Sequence, residues 1–355
     1  MTMPVPSDQD QVRFLLNVQR LLGEGQFTAT YKYALLLALA DLAVERGTDT
    51  GDSLTVSSLQ IAEKFVEYYW RQVVPYPAAG GRGEGLLLRQ NTDRQAAVIR
   101  LVERARVDCG DSLPAFRSRK AQWQRLVREV ARVVRVMPLW KLQIVGRTVF
   151  DFLYENAGAG TTITLRPGVA YCLRQFHGMI TELVRSGWVR YIRQQNLTAL
   201  GETADLHEFL FGSERTMLGP VREVLRAVDG EQCFYCHRPL QQAADVDHFI
   251  PWLVYPVDLG HNFVLAHKSC NSAKSSRLPA GDHLSAWVRR NLDHGAVLGR
   301  EFDRVGMANR LEASLRIAEW AYTRVESAAG LTWRNGEVLV PLTRDWREKL
   351  GGARG

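Results

Sequence analysis

Five cysteines in 355 residues are too few for a disulfide scaffold, which excludes a small secreted framework and fits a chain that stays in the reducing cytoplasm. No apolar run reaches the ~20 residues that span a bilayer. The most apolar stretch, Tyr33 to Val44, is interrupted by Asp41 and reads as a buried helix. The opening, Met1 to Asp10, is polar and acidic and has neither the basic start nor the apolar core of a secretory leader, so neither export nor a membrane is expected. No internal repeat is found, so no repeat architecture is expected.

What is present suits a large soluble protein. A content of 46% hydrophobic residues over this length supports a sizeable core and two or three domains. The formal charge of +7, from 45 Lys and Arg against 38 Asp and Glu, favours an anionic partner such as nucleic acid without deciding for one.

Apolar periodicity predicts a mainly α (α+β) fold. Helices are expected over Gln11 to Leu22 and Tyr31 to Arg46, and over Leu59 to Val74 behind a capping box of Ser57 and Gln60. More are expected over Asp93 to Val107 and Ser118 to Val136, from Pro167 to Ser186, and over Pro220 to Val228. Breaks are expected at Pro75 to Gly85 and Asp108 to Pro114, and a short strand pair within Tyr154 to Ile163. Beyond them come helices over Asp282 to Asn291 and Leu298 to Ser327, then a hairpin over Leu331 to Leu342 turning at Asn335-Gly336. The tail 351 to 355 is expected to fray. The expected regions are a helical one over 1–75, a second over 76–215 with a basic helix and strand pair, a module over 216–282, and C-terminal helices with the hairpin over 283–355.

Two stretches mix basic and aromatic residues. Arg125, Arg128, Arg132 and Arg135 share one helical face, opposite Leu126, Val130 and Val133, with Glu129 alone against them. Phosphate contact, a solvated surface and a protein interface all remain open for that face. Trp188, Arg190, Tyr191 and Arg193 follow the next long helix, where core packing of the rings is favoured over stacking on bases.

Cys233-Phe-Tyr-Cys236 and His267-Lys-Ser-Cys270 are pairs of matching two-residue spacing, separated by 30 residues. That pattern lets four side chains converge on one tetrahedral Zn²⁺, whereas a redox pair needs a thioredoxin-like setting that the flanks lack. With every position filled by protein, this ion is structural. His237 and His261 stand nearby as alternatives to His267, while Cys109 and Cys172 read as small core residues.

Between and just after these pairs stand Asp247-His248-Phe-Ile-Pro251, His261-Asn262-Phe-Val-Leu265, and Asn271 with Lys274. The ordered run C-x-x-C, D-H-x-x-P, H-N-F-V-L, H-x-x-C-N-x-x-K resembles the ββα-metal module of HNH endonucleases in its zinc-ribbon variety. The resemblance covers about 50 of the 355 residues and says nothing of the rest. It implies that His248 is the general base, that Asn262 lies in the connecting loop, and that Asp247 and Asn271 are ligands of a catalytic cation. Asn at the last position, rather than His, is a variation the family shows.

The residue chemistry agrees with these roles. An imidazole takes a proton from water near neutral pH, and carboxylate and amide oxygens are hard ligands suited to Mg²⁺ or Mn²⁺. Asn262 is placed to orient His248 by bonding backbone across the turn, and Lys274 and Arg277 to meet flanking phosphate. Neighbouring strand residues point to opposite faces, so for Asp247 and His248 to share one centre the strand must end or twist there. The expectation is a nuclease acting on DNA, with restriction or phage defence and a protein activator as its setting, by analogy alone. The alternative is a non-catalytic zinc module that binds nucleic acid or protein.

Overall fold

In a computed structural model, the structure describes residues 2–25, 27–76, 85–92, 95–108, 112–155, 160–197, 200, 205–212, 218–240 and 244–351. The chain divides into two compact units, 1–213 and 214–355. Cys109, most of the break at 75–85 and the tail 352–355 lie outside the described residues.

The apolar run noted above forms the centre of the first unit. Helices α1 (Asp8–Glu24) and α2 (Tyr31–Arg46) are followed by strand β1 (Leu54–Ser57) and helices α3 (Ser58–Trp70), α4 (Ala97–Val107), α5 (Leu113–Ser118), α6 (Lys120–Val136) and α7 (Pro138–Lys141). Strands β2 (Ile144–Val145), β3 (Thr148–Val149) and β4 (Thr162–Leu165) and helices α8 (Val169–Gln175), α9 (His177–Gln195) and α10 (Leu206–Phe211) complete it. A helix apolar on every face must be surrounded, and α2 is buried from Tyr31 to Glu45, with α3, α8 and α9 packed against it. Its buried carboxylates are paired. His177 Nε2 lies 2.8 Å from Asp41, the Tyr68 hydroxyl donates to the same carboxylate at 2.6 Å, and Lys64 meets Glu45. Such pairing is what a charge needs in order to remain inside.

Several expected elements change their bounds. The capping box of Ser57 and Gln60 is present, but α3 ends at Trp70 rather than Val74. Gly168, at φ 80°, delays the helix expected from Pro167, and a turn at Phe176 divides it into α8 and α9. Ile163 pairs not with a local partner but with Val56 of β1 in an antiparallel ladder running from Leu54↔Leu165 to Ser57↔Thr162. Trp188 and Tyr191 are core residues, as favoured above, and Cys172 is buried.

The second unit holds α11 (Leu218–Asp229), β5 (Asp245–His248), a 3₁₀ turn (Gly260–Asn262), β6 (Phe263–Ala266), α12 (Lys268–Lys274), α13 (Gly281–Arg304), α14 (Leu311–Ser327), β7 (Leu331–Asn335), β8 (Val338–Pro341) and α15 (Trp346–Gly351). Strands β5 and β6 are antiparallel, and with α12 they make a ββα unit. On one side Val246, Phe263 and Leu265 join Val221, Leu225, Leu298 and Phe302 of α11 and α13 in an apolar cluster. The hairpin β7/β8 forms around Asn335-Gly336 as expected. The break expected between Asn291 and Leu298 is absent, because α13 runs straight through Gly295. The chain breaks instead after Val305, where Gly306 takes φ 70°, so the helix expected over Leu298 to Ser327 is two. The architecture is mainly helical with only small two-stranded sheets, and no helix among the described residues is long and apolar enough to cross a membrane.

Candidate active site and metal centre

The two Cys/His pairs meet although they are far apart in sequence. Cys233, Cys236, His267 and Cys270 bring their ligand atoms within 4.8 Å of one another. A tetrahedral Zn²⁺ with Zn–S of about 2.3 Å needs donor atoms just under about 4 Å apart, so the donor set fits with little adjustment. A tight turn builds the first pair: the Cys233 N–H donates to Arg238 O, the His237 N–H donates to Cys233 O, and His237 sits at φ 58°. The second pair is set by α12, with His267 as its N-cap and Cys270 on its first turn.

The His267 ring is oriented for the task. Its Nε2 lies 3.0 Å from Pro239 O, a pure acceptor, so Nε2 carries the proton and Nδ1 offers its lone pair, 3.3 Å from Cys236 Sγ. Burial opposes ionisation of Cys233, but N–H groups of Cys236, His267 and Tyr235 outweigh it and the thiol is pulled below its usual range. Burial and the neighbouring Cys233 push Cys270 up to about 12, an opposition that a cation among the sulfurs would remove. Of the three imidazoles only His267 joins the converging group; His261 is buried with Nε2 on Gly295 O at 3.1 Å.

The other side of β5 faces α12. Asn271 Nδ2 donates to Asp245 Oδ2 at 3.1 Å. Lys274 Nζ lies 3.1 Å from Asp247 Oδ2 and donates to His248 O at 2.9 Å. The Tyr235 hydroxyl, between the two cysteines of the first pair, also donates to Asp247 Oδ2, at 2.6 Å. Both donors end on one oxygen, which leaves Asp247 Oδ1 and Asn271 Oδ1 as the oxygens suited to a hard cation. Burial raises the Asp247 carboxyl and lowers the Lys274 ammonium, and each partner only partly restores the other's charge. No second group of three or more His, Cys, Asp or Glu converges among the described residues.

β5 ends at His248, where the strand had to end or twist. The Phe249 N–H then donates to Asn262 O, the Asn262 side chain accepts from Ile250 N at 2.8 Å, and Nδ2 donates to Ile250 O at 3.0 Å. Asn262 thus fastens the loop that follows His248. The imidazole packs beside Phe263 and Trp252, with ring centroids at 4.7 and 5.4 Å, and its Nε2 lies 2.7 Å from Asp258 Oδ1.

Sequence reasoning missed Asp258 and Tyr235. Asp258 had a signal, being the only acidic residue between His248 and Asn262. Tyr235 had none beyond its place inside a ligand pair. Lys274 is fully buried against Asp247 and does not reach outward to phosphate, whereas Arg277 is exposed. In the first unit Arg125, Arg128 and Arg132 are exposed and Arg135 half-buried on α6.

The family model for a domain of unknown function (DUF8808) matches residues 12–210, more than half of the chain. The chain belongs to the DUF8808 family. Beyond the segment that defines the family, the HNH endonuclease model matches residues 233–277, which span the zinc-type cluster, β5, β6 and α12. This DUF8808 protein therefore carries an HNH endonuclease domain in its second unit, as the motifs from Cys233 to Lys274 indicated. No curated protein and no solved structure matches the chain.

Proposed function

We propose that this DUF8808 protein is a metal-dependent endonuclease that hydrolyses phosphodiester bonds of DNA, with His248 as general base. The observation that carries the reading is the His248 imidazole held by Asp258, beside a ββα unit matched by the HNH family. With Nε2–H donated to the Asp258 carboxylate, Nδ1 keeps the lone pair that accepts a proton from the attacking water. Asp258 also stabilises the imidazolium formed when that proton arrives. Asn262 fixes the backbone just beyond His248 and so holds the ring's direction. Mg²⁺ or Mn²⁺, held by Asp247 and Asn271, would stabilise charge on the phosphoryl and leaving 3′ oxygens. Cys233, Cys236, His267 and Cys270 would hold a structural Zn²⁺, and Tyr235 ties that loop to Asp247.

Supercoiled plasmid incubated with the protein and Mg²⁺ or Mn²⁺ should be nicked or linearised, and chelation should stop it. Binding without cutting under every cation and partner tried would favour the non-catalytic zinc module instead. We place the activity in restriction or phage defence, with a protein activator, on the analogy of HNH modules attached to large helical units. Cells expressing the protein should then form fewer plaques than cells expressing His248→Ala; equal plaque counts would remove that setting and leave the chemistry untouched.

A further inference from the structure

The first unit presents one face that the nuclease chemistry does not use. On α6, Leu126, Val127, Val130, Ala131 and Val134 are buried in the core, which turns the opposite side to solvent. At about 100° per residue, Arg125, Arg128, Arg132 and Arg135 fall within an arc of about 80° on that side. Arg125 is 80% exposed and pairs with Glu129 in an i,i+4 bridge. Arg128, Arg132 and Arg135 enter no ion pair among the described residues. A solvated helix surface usually alternates charge signs, and this one does not.

The positive character continues beyond the helix. α7 begins one residue after the C-cap, with Trp140 half-exposed and the Lys141 ammonium 5.1 Å above its ring. Lys32, whose ammonium donates to Ile144 O, is pushed down to about 8, first by burial and then by the charge of Lys141.

We propose that the outer face of α6 binds the phosphate backbone of duplex DNA, which gives the DUF8808 unit a substrate-gripping site of its own. The four arginines cover about 15 Å of helix, the axial length of four to five phosphate steps of one strand. Guanidinium groups suit phosphate through paired donors, and a rigid helix presents them without an ordering cost. Backbone contact of this type carries affinity and no base preference. The choice of DNA among anionic polymers rests on the nuclease reading; the existence of the anion-binding face does not.

The test uses the full chain carrying His248→Ala, without divalent cation, and a fluorescein-labelled duplex followed by anisotropy. The variant Arg128→Gln/Arg132→Gln/Arg135→Gln should raise Kd about tenfold or more at about 0.1 M salt, and should lower the slope of log Kd against log salt by about 2.7, at 0.9 per phosphate contact. A control, Arg13→Gln/Arg20→Gln/Arg46→Gln, removes the same charge from exposed positions of the same unit and should keep both values near wild type. Arg132→Glu alone should act in the direction of the α6 triple, so that misfolding of the triple does not decide the matter. Unchanged affinity and slope in the α6 variants overturns the proposal and returns the face to a protein partner. Equal losses in the control also overturn it, because net charge would then explain the binding. Cleavage plays no part in this readout, so a protein that grips DNA yet never cuts it would sink the nuclease reading and leave this one standing.

Discussion

Lys274 carries its ammonium into the interior beside Asp247 instead of holding it out to phosphate, and this changes what the residue is for. A buried ion pair loses about 3–5 kcal/mol when one partner is removed, because the other charge is left uncompensated. Lys274→Ala should therefore lower urea stability by that order, and adding Asp247→Asn should recover part of the loss; a silent Lys274→Ala would show that the pair is not formed. Asp41 offers a pH test in the first unit. Burial works against its charge, but the bonds from His177 and Tyr68 and the nearby Lys64 outweigh it, so its carboxyl sits below the usual range. Its unfolded value is near ~3.9, so the stabilisation is complete above that pH and is lost as pH falls through the depressed folded value. The stability gap between wild type and Asp41→Asn should thus be constant at neutral pH and narrow below about pH 4, and a gap that widens in acid would contradict the assignment.

Elements whose signals are local were legible in the sequence. The Ser57 and Gln60 capping box, the Asn335-Gly336 turn and the apolar run of α2 each declare themselves within a few residues. The partner of Ile163 could not be read, because Val56 stands more than a hundred residues away and nothing in either segment encodes the pairing. The helix expected to stop at Asn291 runs on for a different reason: the buried stripe through Val288, Asn291, Gly295, Leu298 and Phe302 is continuous, but Asn291 and Gly295 do not show in an apolar pattern. The site shows the same division. Fixed spacings exposed the ligand pairs and the Asp-His pair, while Asp258, Tyr235 and the inward turn of Lys274 depend on how the loop and α12 fold over β5. The zinc loop is the element most open to test: metal analysis should find one zinc per chain, and Cys236→Ser should lose it. Full zinc occupancy in Cys236→Ser would contradict the ligand set.

At the scale of the whole chain, two units with separate cores predict separable stabilities. Stripping zinc with a strong chelator should move a melting transition belonging to residues 214–355, since a metal held by the four ligands would join the Cys233–Cys236 turn to the start of α12, and should leave the transition of the first unit in place. A single transition displaced as one would contradict that independence. The central claim, that this second unit cuts DNA by base catalysis from His248, is tested most directly by comparing plasmid nicking by wild type and His248→Ala under the same Mn²⁺ concentration, at equal zinc content. Loss of a positioned general base should slow nicking by about 10²–10⁴-fold with zinc content and folding unchanged, whereas a His248→Ala protein that nicks at the wild-type rate would contradict the account.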